Sequence, residues 1–242
     1  MSLLSVRNLG RRFGGLQAVN DVSFEVQRGQ IVGVMGANGA GKTTLFALIA
    51  GNIPPTSGDV LFDGRSLAGQ RPDQVCRLGV ARTFQIVKPF GGLTVLENLR
   101  TAALFGKAAM RHAAEADQAN LRILEDVGLA PMARQLASTL TLSGQKRLEI
   151  ARAIATGADL VLLDEVMAGL TPTEVGQMLQ TLRRLHAERG LTLVVIEHVM
   201  RALMELSDHI VVLDHGELIA QGTPEEIGAN PKVLAVYFGE GE

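Results

Sequence analysis

Gly36-Ala37-Asn38-Gly39-Ala40-Gly41-Lys42-Thr43-Thr44 decides the fold of this chain. It fits the spacing G-x-x-x-x-G-K-[ST] and follows the apolar run Gln30-Ile31-Val32-Gly33-Val34-Met35, which reads as a buried strand. Glycines let successive backbone N–H groups turn toward one point, and a helix expected from about Lys42 to Ala50 presents its positive end there. Such a loop wraps a phosphate chain, with Lys42 reaching the β- and γ-phosphates and the Thr43 hydroxyl ligating Mg²⁺. A glycine-rich turn that merely carries a lysine is the plainer reading. Strand, loop and helix in the required order favour the phosphate loop.

The bulk properties set the surroundings. A chain of 242 residues can bury a substantial interior without stapling. The single cysteine, Cys76, has no partner for an internal disulfide and reads as a satellite core thiol in a reducing compartment. A net charge of -2, from 23 basic and 25 acidic residues, gives no polycationic footprint for nucleic acid. Although 47% of the residues are hydrophobic, no apolar stretch approaches the ~20 residues that span a bilayer. Met1 to Arg7 alternates like a strand and lacks the pattern of a signal peptide, so a cytoplasmic location is expected.

Along the chain, Leu3 to Val6 and Ala18 to Val26 read as antiparallel strands, the second alternating Val22, Phe24 and Val26 with polar neighbours. Between them Phe13 lies on a glycine-flanked turn, where it suits either an adenine face or a hairpin core. Breakers from Gly51 to Gly58 end the first helix, a short strand follows near Asp59 to Phe62, and Asp63-Gly64 closes a hairpin. Val80 to Gln85 is strand-like. Thr94 and Glu97 have capping-box spacing, and Ala108 to Val127 carries Leu121, Leu124 and Val127 at helical spacing before Gly128. This implies a mostly helical insert between two halves of an α/β core. The core resumes with Leu160 to Leu163 as a buried strand, a helix from Thr173 to Ala187, a strand from Thr192 to Ile196 and another from Ile210 to Leu213, with Asp214 to Glu217 as a hairpin turn.

Two carboxylates close the Leu160 strand. Asp164 suits a metal shell and Glu165 the polarising of an attacking water, while His198, after a neighbouring strand, suits holding a γ-phosphate or orienting that base. Taken singly, Glu165 also suits a capping or salt-bridged acid, His198 a strand-end residue bonded to a loop, and Gln85 a surface loop.

Together these residues resemble the ATP-binding subunits of ABC transporters over essentially the whole chain. Gly36 to Thr44 is similar to the Walker A loop, Gln85 to the Q-loop, Leu160 to Glu165 to the Walker B strand and catalytic acid, and His198 to the switch histidine. The resemblance implies a P-loop NTPase cassette with a RecA-like core (about 1–86 and 157–242), an antiparallel β layer and an inserted helical subdomain (about 87–156). It also implies ATP and Mg²⁺ as cofactors. Glu165, His198 and Gln85 would be catalytic, and Thr43, Gln85 and Asp164 would hold the metal. Phe13, Gly36, Asn38, Gly39, Ala40, Gly41, Lys42, Thr43 and Thr44 would hold the nucleotide.

In that family the insert carries a signature loop that completes the ATP site of a second subunit. Here the region reads Leu140-Thr141-Leu142-Ser143-Gly144-Gln145-Lys146-Arg147, which departs from Leu-Ser-Gly-Gly-Gln. A gapless count back from Arg147 puts Thr141 on the signature serine and Ser143 on a glycine; matching letters puts Ser143 on the serine. The gapless register is preferred, because a one-residue shift rotates a helix start by about 100°. The resemblance thus implies that Thr141, Ser143 and Gly144 would face the second nucleotide. Val166 replaces the usual proline after the catalytic acid, and Thr171 stands where many members have an aspartate that contacts the partner subunit.

The runs from Asp164 to Glu174, Ala81 to Gln85 and Tyr237 to Glu240 are most similar to the branched-chain (hydrophobic) amino-acid importer branch. The resemblance implies ATP hydrolysis driving an importer from the inner face of the cell membrane. A second cassette, identical or related, polytopic permease subunits and, indirectly, a solute-binding protein would be its partners. A soluble ABC ATPase acting on another assembly, a nucleotide-dependent switch of little turnover, and importers of amides, urea or aromatic acids are the competing readings.

Overall fold

The computed structural model describes residues 2–83, 89–107 and 113–238. Contacts group the chain into two compact units, Met1–Pro72 with Thr192–Glu242, and Asp73–Leu191.

The first unit opens with β1 (Ser2–Phe13) and β2 (Leu16–Gln27), an antiparallel pair. β2 buries Val22, Phe24 and Val26 and exposes the residues between them, as the alternation predicts. β1 runs well beyond the expected Leu3 to Val6. Leu3 to Val6 are buried in succession, not alternately as expected, and the register slips between Val6 and Leu9, around Asn8. Asn8 (φ 45°) and Asp21 (φ 50°) take left-handed conformations at this bulge, joined by an Asn8 Nδ2 to Asp21 Oδ1 hydrogen bond of 2.8 Å. Short polar side chains tolerate that conformation and mend the interrupted ladder. Next come the wholly buried β3 (Ile31–Met35) and α1 (Lys42–Ile49). α1 buries Leu45 and Phe46 completely, each worth about 1.5–3 kcal/mol. β4 (Ser57–Phe62) pairs with β1 and with the short β5 (Arg65–Ser66) across Asp63 (φ 49°) and Gly64 (φ 75°), a two-residue turn with both φ positive.

The second unit follows through α2 (Pro72–Leu78) and β6 (Val80–Arg82). Cys76 on α2 is half-buried, and burial pushes its thiol up, as suits an inert satellite thiol. α3 (Val95–Phe105) begins at the expected box: Thr94 Oγ1 accepts from Glu97 N at 3.2 Å, and Glu97 Oε2 accepts from Thr94 N at 2.7 Å. α4 (Ala113–Asp126) supplies Leu124, and the helix start expected at Ala108 lies outside the described residues. α5 (Leu142–Ala155) packs with α3 and α4, burying Leu99, Leu124 and Leu148 without exposure. β7 (Leu160–Asp164) pairs in parallel with β6. α6 (Pro172–Arg189) starts one residue before the expected helix, is capped by Thr171 with Glu174, and ends on left-handed Gly190.

The chain then returns to the first unit with β8 (Thr192–Ile196), α7 (Met200–Leu206), β9 (His209–Asp214), β10 (Glu217–Gly222), α8 (Pro224–Gly228) and α9 (Pro231–Phe238). β3 lies between β8 and β9 and runs parallel to both, with β10 antiparallel at the edge. Near-continuous apolar runs suit strands covered on both faces. The expected Asp214 to Glu217 turn forms with His215 (φ 45°) and Gly216 (φ 85°) at its centre. The architecture is the expected α/β fold with an antiparallel layer and a helical group.

Candidate nucleotide site

The loop from Gly36 to Gly41 leaves the carboxyl end of β3 and enters α1. Gly36 has φ 154°, and a Cβ there would lie 2.5 Å from Leu213 O; Gly41 has φ 99°, and its Cβ would lie 2.4 Å from Ala18 O. Any other residue at either position is strained and must displace backbone. Gly39 needs glycine for its φ of 83° alone, since nothing lies near its missing Cβ. The β9–β10 turn braces the loop, Gly216 N donating to Ala40 O at 3.1 Å. Lys42, only 6% exposed, donates from Nζ to Gly36 O at 2.7 Å and Ala37 O at 2.9 Å, so a positive charge is held within the loop's curl.

α1 starts without a side-chain cap and with no acid in its first turn. Its end carries amide donors and about half a positive charge, the environment of an anion. Ala37, Asn38, Gly39 and Thr43 are exposed, Thr44 is half-buried and Ala40 is buried. His198 follows β8, whose Ile196 pairs with Val34 of β3, so the histidine and the phosphate loop share one edge of the parallel strands, and His198 is exposed there. Phe13 ends β1 in the hairpin opposite Leu16, 44% exposed, with the Arg11 guanidinium 4.6 Å from its ring centroid. It is therefore a hairpin aromatic whose ring remains open on one side, not a core residue.

In the second unit, Asp164 ends β7 and is 1% exposed. Its Oδ2 accepts from Arg82 Nη2 at 2.8 Å, and its amide donates to Thr83 Oγ1 at 3.0 Å. Its Oδ1 is buried with no hydrogen-bond partner among the described residues. An unmet carboxylate oxygen suits a hard divalent cation such as Mg²⁺. Glu165 is 8% exposed and left-handed, with φ 52°. That conformation costs on the order of 1–3 kcal/mol for a non-glycine residue, and buried Lys146 donates to the Glu165 carbonyl at 2.8 Å to hold it.

Thr141 is the N-cap of α5, exposed, its Oγ1 accepting from Gly144 N at 3.2 Å. Ser143 and Gly144 lie inside the first turn and are buried. A Cβ on Gly144 would stand 3.3 Å from Leu140 Cβ, so close packing favours glycine there.

The phosphate loop and His198 belong to one unit, and Asp164, Glu165 and the Thr141 cap to the other. Gln85 lies outside the described residues. Sequence reasoning missed Arg82, which binds the Asp164 carboxylate, and Lys146, which donates to the Glu165 backbone carbonyl. Arg82 was signalled only by a charge inside a strand-like run.

A model of the ABC transporter family matches residues 19–168, and one of the branched-chain amino acid ATP-binding cassette transporter matches residues 217–242. The chain is 41% identical to the high-affinity branched-chain amino acid transport ATP-binding protein BraF of Pseudomonas aeruginosa, over 98% of each chain. It is equally 41% identical to LivG of Escherichia coli, again over 98% of each. Its fold is similar to a crystal structure of the ADP conformation of an ATP-binding cassette of an ABC transporter, with TM-score 0.87 and 29% identity over 99% of this chain and 100% of that one. A dimeric post-hydrolysis cassette bound to ADP and Pi matches with TM-score 0.80 and 25% identity, over 91% of this chain and 98% of that one. Likeness over more than half of the chain to a family model, and over nearly all of it to full-length relatives, gives one placement: this chain belongs to the ABC transporter family, as one of its ATP-binding cassettes, an ATPase.

Proposed function

We propose that this chain hydrolyses ATP to power an importer of branched-chain or other hydrophobic amino acids. The observation that carries the solute class is the full-length likeness to relatives named for branched-chain amino acid transport. The chain acts as one cassette domain, with a core of about 1–86 and 157–242 and a helical subdomain of about 87–156.

Phosphates are held by the amides of Gly36 to Thr44 and by Lys42, and the open face of Phe13 takes the adenine. Thr43, Gln85 and Asp164 would hold Mg²⁺, which would supply charge neutralisation on the phosphates. Glu165 accepts a proton from the attacking water, and His198 holds the γ-phosphate or orients that base. Thr141, Ser143 and Gly144 face the nucleotide of a second cassette, identical or related. Thr141 is the signature hydroxyl in this reading, supported by its exposure at the helix start and by the burial of Ser143. Both chains then clasp two nucleotides, and loss of the γ-phosphate opens the pair.

Membrane permease subunits and a solute-binding protein complete the importer, with the chain peripheral on the cytoplasmic face. No helix among the described residues is long and apolar enough to cross a membrane. No nucleic-acid partner is proposed, in keeping with the net charge of -2.

The test is reconstitution with the membrane subunits in liposomes, measuring leucine uptake beside phosphate release. Coupled uptake and hydrolysis are expected. Hydrolysis indifferent to those subunits would favour a soluble ATPase, and uptake of an amide or urea in place of leucine would overturn the solute class.

A further inference from the structure

Asn98 on α3 is completely buried, and its amide is spent on one loop. Its Oδ1 accepts from Phe90 N at 2.9 Å, and its Nδ2 donates to Phe90 O at 3.1 Å and Thr94 O at 2.9 Å. A buried amide so satisfied specifies one loop conformation, because each bond lost leaves a buried polar group unmet.

The stapled loop in turn holds the segment that leads to Thr141. Thr94 forms an antiparallel bridge with Leu136, Ala137 N donates to Leu93 O at 2.9 Å, and Val95 N donates to Gln135 O at 2.9 Å. Ser138 N reaches Gly91 O at 3.4 Å, a weaker contact. From Ala137 a single 3-10 turn, Ala137–Thr139, brings the chain to Leu140, whose carbonyl accepts from Gln145 Nε2 at 3.0 Å, and then to the Thr141 cap. The loop also touches the body of α5, where the Arg152 guanidinium lies 4.7 Å from the Phe90 ring centroid. Loop, connector and cap therefore form one hydrogen-bonded chain within the second unit.

We propose that Asn98 is a positioning residue for the Thr141 hydroxyl, acting through the Phe90–Thr94 loop and the segment from Gln135 to Leu140. The inference rests on the reading of Thr141 as the group that faces a second cassette's nucleotide. Asn98 touches no nucleotide itself. Its loss should loosen the clasp between cassettes and leave ATP binding by the single chain intact.

The full chain carrying Glu165→Gln, with ATP, serves as parent, and its dimer affinity is read by sedimentation. Asn98→Leu in that background should weaken the dimer at least tenfold while the affinity of the single chain for a fluorescent ATP analogue stays within twofold. Should that variant fail to fold, Asn98→Asp takes its place, keeping the oxygen that accepts from Phe90 and losing both donated bonds. Rescue separates positioning from mere stability. The Cβ of a residue at 91 would lie 3.4 Å from Ser138 Cβ, so Gly91→Cys with Ser138→Cys can cross-link the loop to the connector. Oxidation should restore dimer affinity to the Asn98 variant, and reductant should remove it again. An Asn98 variant that dimerises as its parent does, or one the cross-link fails to rescue, would overturn the proposal alone. A parent that stays monomeric with ATP would overturn the reading of Thr141 and this inference with it.

Discussion

Two helices begin at candidate functional loops, and they begin in opposite ways. α1 is entered through left-handed Gly41 with no side-chain cap, whereas α5 is entered through extended Thr141, whose hydroxyl caps Gly144 N. An uncapped end leaves its amides for an outside acceptor, and a capped end has satisfied one of its own. The first is a site made by backbone, and any phosphate chain can use it. The second places an exposed threonine, its oxygen accepting from its own helix, at a start held by the structure behind it, which makes it dependent on packing in its own unit. On the proposed reading, a cassette built on both would bind nucleotide alone and would depend on its fold to recognise a second copy's nucleotide.

The largest effect expected concerns chemistry. Glu165→Gln should lower the turnover of the assembled transporter by about two to four orders of magnitude, with ATP binding retained, in a phosphate-release assay. Near-wild-type turnover would remove Glu165 as the base and break the assignment of hydrolysis to the second unit's acid pair.

The backbone character of the α1 loop is tested next. Gly41→Ala must fit a Cβ 2.4 Å from Ala18 O at φ 99°. Strain of about 1–3 kcal/mol corresponds to roughly fivefold to 150-fold weaker nucleotide binding by titration calorimetry. Gly39→Ala, strained in φ alone, should lose less. Equal losses would show that close approach of backbone is not what the loop needs.

At α5 the comparison is between hydroxyls. Thr141→Ala should cost about 1 kcal/mol of stability as a lost cap and should also harm hydrolysis in the assembled transporter. Ser143→Ala, at a buried position within the first turn, should leave hydrolysis closer to wild type. The reverse order would restore the letter-for-letter match of Ser143.

The smallest effect is at α6, where Thr171 caps with Glu174 as a full box, unlike Thr141. The Thr171 amide first, and its hydroxyl second, hold the Glu174 carboxyl below the usual carboxylate range. Its contribution is therefore present above the unfolded value near ~4.3 and is lost as pH falls through the lower folded value. Urea midpoints from pH 6 to pH 3 should fall more for the wild type than for Glu174→Gln; parallel curves would show that the box carries no linked stability.

Much of this was legible in residue order. The phosphate loop announces itself because left-handed φ and crowded Cβ positions admit only glycine, and the Thr94 and Thr171 helix starts follow from local hydrogen bonding between neighbours. The extension of β1 past Asn8 was not legible, because the bulge is repaired by Asp21 on another strand. Nor were Arg82 on Asp164, Lys146 on the Glu165 carbonyl, or Asn98 stapling Phe90, whose partners are brought together by packing.

By itself, the sequence determined a nucleotide loop, an acid pair ending a buried strand and the α/β order of the chain, since each is written in local backbone demands and hydrophobic period. Only the tertiary structure decided that Thr141 lies exposed at the start of α5 while Ser143 is buried within its first turn. Exposure is a property of the whole neighbourhood: Thr141 and Ser143 differ by two positions, and the start of α5 puts one outside and the other in.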